Sequence, residues 1–563
     1  MEGVRVAVEG CGHGTLNAIY DTVKRSSQER GWDGVDLLII GGDFQAVRNA
    51  ADLTVMSVPA KYRELGDFHE YYSGTRTAPY LTIFVAGNHE AASHLWELYY
   101  GGWVAPNIYY LGAGNVVRLG PIRIAGMSGI WKGHDYRKTH YERLPFNQDY
   151  VKSFYHVREI DVRKLLQLRT QVDIGISHDW PRAVERHGNE RSLFGMKPDF
   201  ERESREGTLG NPAAEYVMDR LRPPYWFSAH MHCKFSAIKT YAAPGGSSAE
   251  DVNTVSESAS VQETAPPMPA ENPDEIELDL DDDVDDEKTT ATPQDGKRTE
   301  ASAPSDGNGV PEELRAQLPA SFAAPQQQPR TIPGQPVPAG ITNTTVRFLA
   351  LDKCLPGRKF LQLCEIHPFD ASDLAAHPPN PSGPRYRLQY DPEWLAITRV
   401  FAASLTIGDP GAQTPPDLGE AHYLPLVEAE RAWVEENIVR KGKLDVPENF
   451  AVTAPPHVPG SPESTDAQPN EYSNPQTEAF CALVGVPNLW AASEEERSER
   501  RQRGPPPSQF GGRGGGFRVC SHQQLEAVFD WNIHVWHIFL VSVPVPVVEI
   551  FHDLLKDNAT AKS

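Results

Sequence analysis

Five short apolar segments of the sequence each lead into a residue that binds metal ions well. Residues 35–40 are a continuous apolar run, which is typical of a buried parallel strand, and Gly41, Gly42 and Asp43 follow it. The runs 4–8, 81–85, 172–176 and 225–227 lead in the same way to Cys11, His13, Asn88, His178, His230 and His232. The carboxyl ends of parallel strands form the ligand-binding edge of an α/β sheet. The sequence therefore predicts a metal site with Asp43 at its centre.

This set of side chains suits the hydrolysis of a phosphate ester. The reaction needs an activated water, neutralised charge on the phosphate and a proton for the leaving oxygen, and two metal ions about 3.5–4 Å apart supply the first two. One carboxylate must bridge such a pair, and Asp43 is the natural candidate. Imidazole suits Zn, Fe and Mn-type ions, whereas Mg prefers oxygen ligands. We therefore expect two divalent ions, drawn from Fe(II), Zn(II) and Mn(II).

The elements that would position these residues alternate between strand and helix patterns through residue 242. Apolar residues recur at a helical spacing over 15–24, and 157–168 is also predicted to be helical. Strand and helix alternation of this kind predicts a layered α/β domain over 1–242. Residues 243–340 are rich in Pro, Ser, Gln and acids, a composition that indicates a disordered insert.

Regular patterns return after the insert. Two strands are predicted at 345–351 and 359–366 around a Cys-Leu-Pro-Gly turn, and we expect them to pair with the sheets of the first domain. Helical patterns at 390–401 and 424–439 predict a smaller, mostly helical domain within 341–450. Residues 451–563 are predicted to be a mostly disordered tail with a short ordered island near 476–490.

Charge, cysteine usage and hydropathy indicate which ligands, which compartment and which membrane topology the chain is suited to. The 563-residue chain carries a net charge of −23, but much of the acid lies in one run at 271–287, so the total does not exclude a nucleic-acid ligand. The six cysteines form no CxxC pair and no secretory signal opens the chain, which favours a reducing compartment. The apolar run at 535–551 is interrupted by His537, Pro544 and Pro546, so we expect no membrane span.

The order of these motifs resembles the calcineurin-like metallophosphoesterase superfamily, which has D-x-H, G-D, G-N-H-E/D, a lone His and G-H-x-H. The first motif here reads Cys11-Gly-His13 and the last reads Ala229-His-Met-His232. Cysteine in the first motif is similar to one branch, the RNA lariat debranching enzymes. Further segments resembling that branch lie at 42–49, 99–110, 177–181 and 349–356. The resemblance covers 1–242 and about 341–490.

The resemblance implies a calcineurin-like β-sandwich flanked by helices, with the smaller helical domain following it. It implies one metal held by His13, Asp43 and His232 with Cys11 beside them, and a second metal held by Asp43, Asn88, His178 and His230. His89 is not expected to bind metal, and beside Asn88 it can protonate the leaving oxygen as a general acid. A thiolate at Cys11 would shift the first site towards Zn or Fe(II).

The same family selects a 2′–5′ linkage with an inserted loop, which maps here to residues 128–147, the recognition loop. Its aromatic and basic side chains are expected to stack on unpaired bases and hold phosphates: Trp131, Lys132, His134, Tyr136, Arg137, Lys138 and Tyr141. A wider basic series is expected to support RNA contact: Arg118, Arg123, Lys132, Arg137, Lys138, Arg143, Lys152, Arg158, Arg163 and Lys164.

The implied function is hydrolysis of the 2′–5′ bond at the branchpoint of excised intron lariats, with branched intron RNA as the substrate. Splicing-associated proteins would be partners, the nucleus would be the site of action, and the sequence does not indicate an oligomeric state. One alternative is a broader metallophosphoesterase that acts as a nuclease or a phosphatase. A second is an inactive scaffold of the same fold, which the complete ligand set argues against.

Overall fold

The computed structural model describes residues 3–242 and 332–508, which belong to one compact unit built around two mixed β-sheets. The predicted α/β sandwich flanked by helices is confirmed. The predicted insert is described only from residue 332, and residues 243–331, with the acidic run, lie outside the described residues.

The first sheet consists of six strands: β1 Val4–Glu9, β2 Leu37–Ile40, β3 Thr82–Phe84, β4 Gly102–Ala105, β5 Ile108–Tyr110 and β12 Leu361–Ile366. Their order in the sheet is β12-β1-β2-β3-β5-β4. Strands β1, β2, β3 and β5 run parallel, while β12 and β4 are antiparallel to their neighbours. Most residues of the parallel strands are apolar and buried, as expected for a sheet that is covered on both faces.

The second sheet consists of seven strands: β6 Gly114–Leu119, β7 Ile122–Met127, β8 Ile174–Ser177, β9 Tyr225–Ser228, β10 Phe235–Thr240, β11 Thr345–Ala350 and β13 Leu388–Tyr390. Their order in the sheet is β10-β11-β9-β8-β7-β6-β13. The parallel centre consists of β7, β8, β9 and β11, with antiparallel strands at both edges. The two strands predicted after the insert thus lie in different sheets, β11 here and β12 in the first sheet.

Alternation along β1 shows how the layers pack. Val4, Val6 and Val8 are buried in the largest apolar core, which they share with residues of the second sheet. Ala7 points the other way, into a second core with Leu16 of the first helix. The helices are α1 Leu16–Glu29, α2 Phe68–Tyr72, α3 Ala92–Trp96, α4 Gly133–Tyr136, α5 Gln148–Ser153, α6 Glu159–Leu165, α7 Glu190–Met196, α8 Asp199–Glu206, α9 Pro212–Leu221, α10 Ala371–Ala376, α11 Pro392–Phe401, α12 Glu420–Val434, α13 Pro475–Val484 and α14 Glu494–Arg503. No helix among residues 3–242 and 332–508 is long and apolar enough to cross a membrane.

A buried ion-pair cluster joins the first part of the chain to the part after the insert. Asp391 accepts hydrogen bonds from Arg123 and from Arg118, each at 2.8 Å. It also accepts from the backbone N–H of Trp394 at 3.0 Å, so it caps α11. The helix predicted at 390–401 therefore begins at Pro392, since Tyr390 belongs to β13.

The disorder of the tail at 451–563 stays a prediction, because only residues 451–508 of it are described. These residues contact side chains of the first part of the chain. The Tyr72 hydroxyl accepts from the Thr453 N–H at 2.8 Å, and Trp490 stacks on Tyr99 with ring centroids 4.4 Å apart. Residues 451–474 form no helix or strand and are held by such side-chain contacts, which neither composition nor periodicity revealed, whereas α13 and α14 follow them. Residues 509–563 lie outside the described residues.

Candidate metal centre

The structure brings the seven predicted metal ligands to one edge of the sandwich. Cys11 and His13 follow β1, Asp43 follows β2 and Asn88 follows β3, all in the first sheet. His178 follows β8, and His230 and His232 follow β9, all in the second sheet. The carboxyl ends of strands from both sheets meet there, as expected for a ligand site in an α/β fold.

One half of this centre consists of Cys11, His13, Asp43 and His232, whose potential ligand atoms all lie within 4.8 Å of one another. The Nε2 atoms of His13 and His232 are 3.3 Å apart, and His13 Nε2 is 3.6 Å from Asp43 Oδ2. Asp43 Oδ2 is buried and has no hydrogen-bond partner among the described residues. Lone-pair donors converging on one point beside an unpaired carboxylate oxygen form a suitable site for a cation.

The other half lies on the opposite oxygen of the same carboxylate. Asp43 Oδ1 is 3.5 Å from His178 Nε2, which in turn is 3.3 Å from Asn88 Oδ1. His178 Nδ1 is 2.9 Å from the Gly41 carbonyl oxygen, so Nε2 is the nitrogen turned into the site. The rings of His178 and His230 are 4.9 Å apart. Asp43 therefore faces one group of donors with each oxygen, which is the position of a bridging ligand.

Strained backbone and small residues allow this convergence. His13, Asp43, His230 and His232 all have positive φ angles, of 41°, 46°, 61° and 47°. Such conformations are uncommon for residues other than glycine and cluster at functional sites. A Cβ atom at Gly42 would lie 2.1 Å from His178 Nδ1, so the Gly-Asp pair is required by packing against that histidine.

Burial sets the protonation states of these groups. It lowers the pKa of His13 to about 4, of His230 to about 3 and of His232 to about 2. Burial alone would raise the pKa of Asp43, but the neighbouring histidines, His178 first, bring it below the usual range. Near neutral pH the imidazoles are uncharged and the carboxylate is ionised, which are the states that metal ligands require.

Cys11 is fully buried beside this centre. Its sulfur accepts a hydrogen bond from the His230 N–H at 3.2 Å, and burial, followed by the charge of Asp43, raises the pKa of the thiol well above its usual value. The thiol therefore stays protonated unless a cation stabilises the thiolate. Among the potential ligands it is the one whose charge state depends most directly on an ion.

His89 lies at the mouth of the centre and is partly exposed. Its backbone N–H donates to Asp43 Oδ1 at 2.9 Å, and its ring centroid is 5.8 Å from that of His13. The backbone thus fixes the position of His89 and leaves the imidazole free to face a bound phosphate.

Glu90 is a functional residue to which the sequence reasoning gave no role. Its buried carboxylate accepts from the N–H groups of Phe44, Gln45 and Gly87 at 2.8 to 2.9 Å. It thereby ties the loop that carries Asp43 to the loop that carries Asn88 and His89. Its place as the fourth residue of Gly-Asn-His-Glu was the only signal in the sequence.

The recognition loop lies beside the centre. Asp179, next to His178, accepts from the Trp131 N–H at 3.5 Å, so the loop contacts the segment that carries one of the ligands. Trp131 packs against Tyr136 with ring centroids 4.7 Å apart. Arg137 is the most exposed of the predicted RNA-binding side chains at 83%, and His134 follows at 56%. Together with Lys132 and Lys138, which are partly exposed, these side chains form a surface that is both aromatic and basic.

Two expectations about this region are wrong. Tyr141 is buried, with its ring packed against that of Tyr150 at 5.3 Å, so it is not available to stack on a base. The basic series is also partly internal, because Arg123, Arg158, Arg163 and Lys164 are buried. Arg158, for example, donates to Glu142 at 2.6 Å. The spacing of basic residues along the sequence does not show whether they contact RNA at the surface or form buried ion pairs.

Comparison with known proteins relates both parts of the chain, before and after the insert, to known protein families. A family model described as calcineurin-like phosphoesterase matches residues 4–234, and one described as lariat debranching enzyme, C-terminal domain, matches residues 343–489. The chain is 40% identical to a lariat debranching enzyme of Schizosaccharomyces pombe over 488 residues, which cover 86% of this chain and 96% of that protein. It is 37% identical to the lariat debranching enzyme of Homo sapiens over 496 residues, 88% of this chain and 72% of that protein. For the Arabidopsis thaliana enzyme the identity is 35% over 490 residues, 87% of this chain and 88% of that protein.

Proposed function

The chain belongs to the lariat debranching enzyme family, and on that premise we propose that it hydrolyses the 2′–5′ phosphodiester bond of branched intron RNA. The observation that carries the proposal is Asp43, whose two oxygens face two groups of nitrogen, oxygen and sulfur donors. This is the donor set of a metallophosphoesterase with two ions.

The residues fit a pair of divalent ions. One would be held by Cys11, His13, Asp43 and His232, and the other by Asp43, Asn88, His178 and His230. When bound, such ions activate a water and neutralise charge on the phosphate. The mainly imidazole set favours Fe(II), Zn(II) or Mn(II) over Mg(II), and the sulfur of Cys11 favours Fe(II) or Zn(II) for the first position.

We propose that His89 donates the proton to the leaving 2′ oxygen. Its N–H bond to Asp43 holds its backbone against the bridging carboxylate, and its partly exposed ring is the titratable group at the mouth of the site. Glu90 keeps this loop in register with the Asp43 loop through three backbone hydrogen bonds. The expected products are linear RNA with a free 2′ hydroxyl and an end that carries a 5′ phosphate.

The recognition loop supplies the preference for a branch. Trp131 and Tyr136 offer aromatic faces to unstacked bases, and Lys132, Arg137 and Lys138 offer positive charge to the strands that leave the branchpoint. The contact between Asp179 and Trp131 keeps this surface next to the ligand His178.

The test compares a short RNA that carries one 2′–5′ branch with a linear RNA of the same sequence. Full-length protein is stripped of metal and reloaded separately with Fe(II), Zn(II) and Mn(II), and Asp43→Asn serves as the metal-deficient control. Cleavage of the branch alone supports the proposal, and the most active ion identifies the preferred metal. Cleavage of both RNAs would indicate a broader nuclease. If neither RNA is cleaved by metal-loaded protein, a phosphatase or a scaffold replaces the proposal.

We also propose that the protein acts in the nucleus with splicing-associated proteins, because excised intron lariats are products of splicing. Imaging of the tagged full chain, together with its recovery alongside branched intron RNA, tests this location. A protein confined to the cytoplasm would contradict it.

A further inference from the structure

A second cluster of potential metal ligands lies at the base of the recognition loop. It consists of His134, Asp135 and His156, whose ligand atoms all lie within 4.8 Å of one another. Hydrogen bonds between Ile130 and the backbone of Tyr155 and Val157, both at 3.0 Å, place the two parts of the cluster side by side. The cluster is separate from the donors around Asp43, and binding of a metal by it plays no part in the reaction derived above.

The geometry of the cluster centres on one oxygen of Asp135. Asp135 Oδ2 is 2.6 Å from His156 Nδ1 and 3.5 Å from His134 Nε2. Ligand atoms about 2.1 Å from a tetrahedral zinc ion are about 3.4 Å from each other. The His134 distance matches this spacing, whereas His156 is hydrogen-bonded to Asp135 and would have to move about 0.8 Å away from Oδ2 to bind the same ion.

The surroundings of Asp135 leave this oxygen directed at the histidines. Lys138 Nζ is 2.7 Å from the other oxygen, Oδ1, and so orients the carboxylate in the way that metal-binding carboxylates are usually supported. Arg158 lies 3.8 Å from Oδ2, but its guanidinium donates to Glu142 at 2.6 Å and to the Ser153 carbonyl at 2.9 Å. The charge of Arg158 is thus already paired with that of Glu142.

The two histidines have complementary environments. His156 is buried, which lowers its pKa to about 4 and keeps its imidazole neutral near pH 7. His134 is 56% exposed, so an ion can enter from solvent and retain a water in its fourth position. Two imidazoles with one carboxylate form a donor set that suits zinc.

We propose that His134, Asp135 and His156 bind a third divalent ion, of the zinc class, which clamps the recognition loop to the segment that follows α5. The ion would link α4 to His156 across the bridge between Ile130 and His156. It would thereby hold Arg137 and Lys138 in place at the surface. The proposal does not depend on debranching activity, because it concerns only metal binding and loop order.

The first experiment counts zinc. Full-length wild type, His134→Ala and His367→Ala are stripped of metal, reloaded with Zn²⁺, freed of excess by gel filtration and analysed by mass spectrometry of the metal. His367 is a matched control because it is 54% exposed and lies 3.6 Å from Glu365. We expect wild type and His367→Ala to bind one zinc ion per chain more than His134→Ala. Equal zinc content in all three proteins would overturn the proposal.

The second experiment measures order in the loop. Arg137 is 83% exposed, so trypsin can cleave after it when the loop opens. Zinc at about ten times its dissociation constant should slow this cleavage about tenfold in wild type and in His367→Ala. We expect no zinc effect in His134→Ala or in Asp135→Asn. Equal protection by zinc in these variants would overturn the clamp, whatever the RNA assay shows.

Discussion

His89→Gln tests the assignment of the proton donor most directly. The substitution removes the titratable ring but keeps the backbone N–H that donates to Asp43. General acid catalysis contributes about 10²- to 10⁴-fold, which corresponds to about 3–5 kcal/mol of transition-state stabilisation. Because His89 is partly exposed and its tie to Asp43 is a backbone bond, we expect kcat on branched RNA to fall by that factor without loss of metal or of stability.

The assay separates proton transfer from metal chemistry by changing the leaving group. A 2′ alkoxide needs a proton as it leaves, whereas the 4-nitrophenolate of bis(4-nitrophenyl) phosphate does not. His89→Gln should therefore lose less than about tenfold in kcat on the nitrophenyl ester. His178→Gln is the contrasting variant, because His178 is fully buried and lies 3.5 Å from Asp43. It should lose metal and fail on both substrates.

Two results would refute this reasoning. If His89→Gln loses a catalytic metal, His89 is a ligand or a support for one. If kcat falls equally on both substrates while metal is retained, the ring acts on the phosphate and not on the leaving oxygen. Metal content, kcat on branched RNA and kcat on the nitrophenyl ester, measured on one preparation, decide between these outcomes.

Three further predictions concern the metal ligand, the buried ion pairs and the insert. Cys11→Ser should weaken binding of Zn(II) at least about tenfold and of Mn(II) much less, measured by chelator competition, because Mn(II) does not favour sulfur; equal weakening would show that the thiolate is not a ligand. Asp391→Asn keeps the helix cap, and Arg123 keeps Glu393 at 2.8 Å, so the expected loss is about 1.5–3 kcal/mol in urea unfolding at pH 7. Burial alone would raise the pKa of Asp391, but its ion pairs and hydrogen bonds, those with Arg123 first, together outweigh burial and bring the pKa below its usual value. The stabilisation by Asp391 is therefore present above the unfolded pKa near 3.9 and should fade as the pH falls below it. A difference in stability between wild type and Asp391→Asn that grows in acid would contradict this sign. Replacement of residues 243–331 by a short Gly/Ser linker should leave kcat on branched RNA within about threefold of wild type. The insert joins β10 to β11 at the end of the sheet that lies away from the centre, about 20 Å from the ligands that follow β9. A loss of metal in this variant would contradict the prediction.

The meeting of the seven predicted ligands at one edge could be predicted from the sequence, because each of them follows the end of a strand. A run of apolar residues fixes where a strand stops, and in a parallel sheet that point is the ligand-binding edge. Asp43, after β2, needed no tertiary information to be recognised. The sequence could not show that the two oxygens of Asp43 face two groups of donors, because this arrangement depends on how the second sheet packs against the first.

The fate of charged side chains was harder to predict, because burial decides their role and burial is not local. Lys164 and Arg137 have the same charge and both were assigned to RNA contact. Lys164 instead lies buried over the rings of Tyr99 and Trp394, whereas Arg137 is on the surface. The periodicity of α6 could not show this, since residues from distant parts of the chain cover that helix.

The centre depends on the part of the chain after the insert, although its seven predicted ligands all lie before the insert. Strand β12 flanks β1 in the first sheet and β11 flanks β9 in the second, so each sheet receives a late strand next to one that carries ligands. The link between β11 and β12 also holds Cys11, whose N–H donates to the Asp352 carbonyl at 3.4 Å and whose carbonyl accepts from Cys354 at 3.3 Å. Without these strands β1 and β9 would be unpaired edges and Cys11 would lose its backbone support. The metal centre is therefore a product of both sides of the insert, which explains how a long interruption can separate two segments of one catalytic fold.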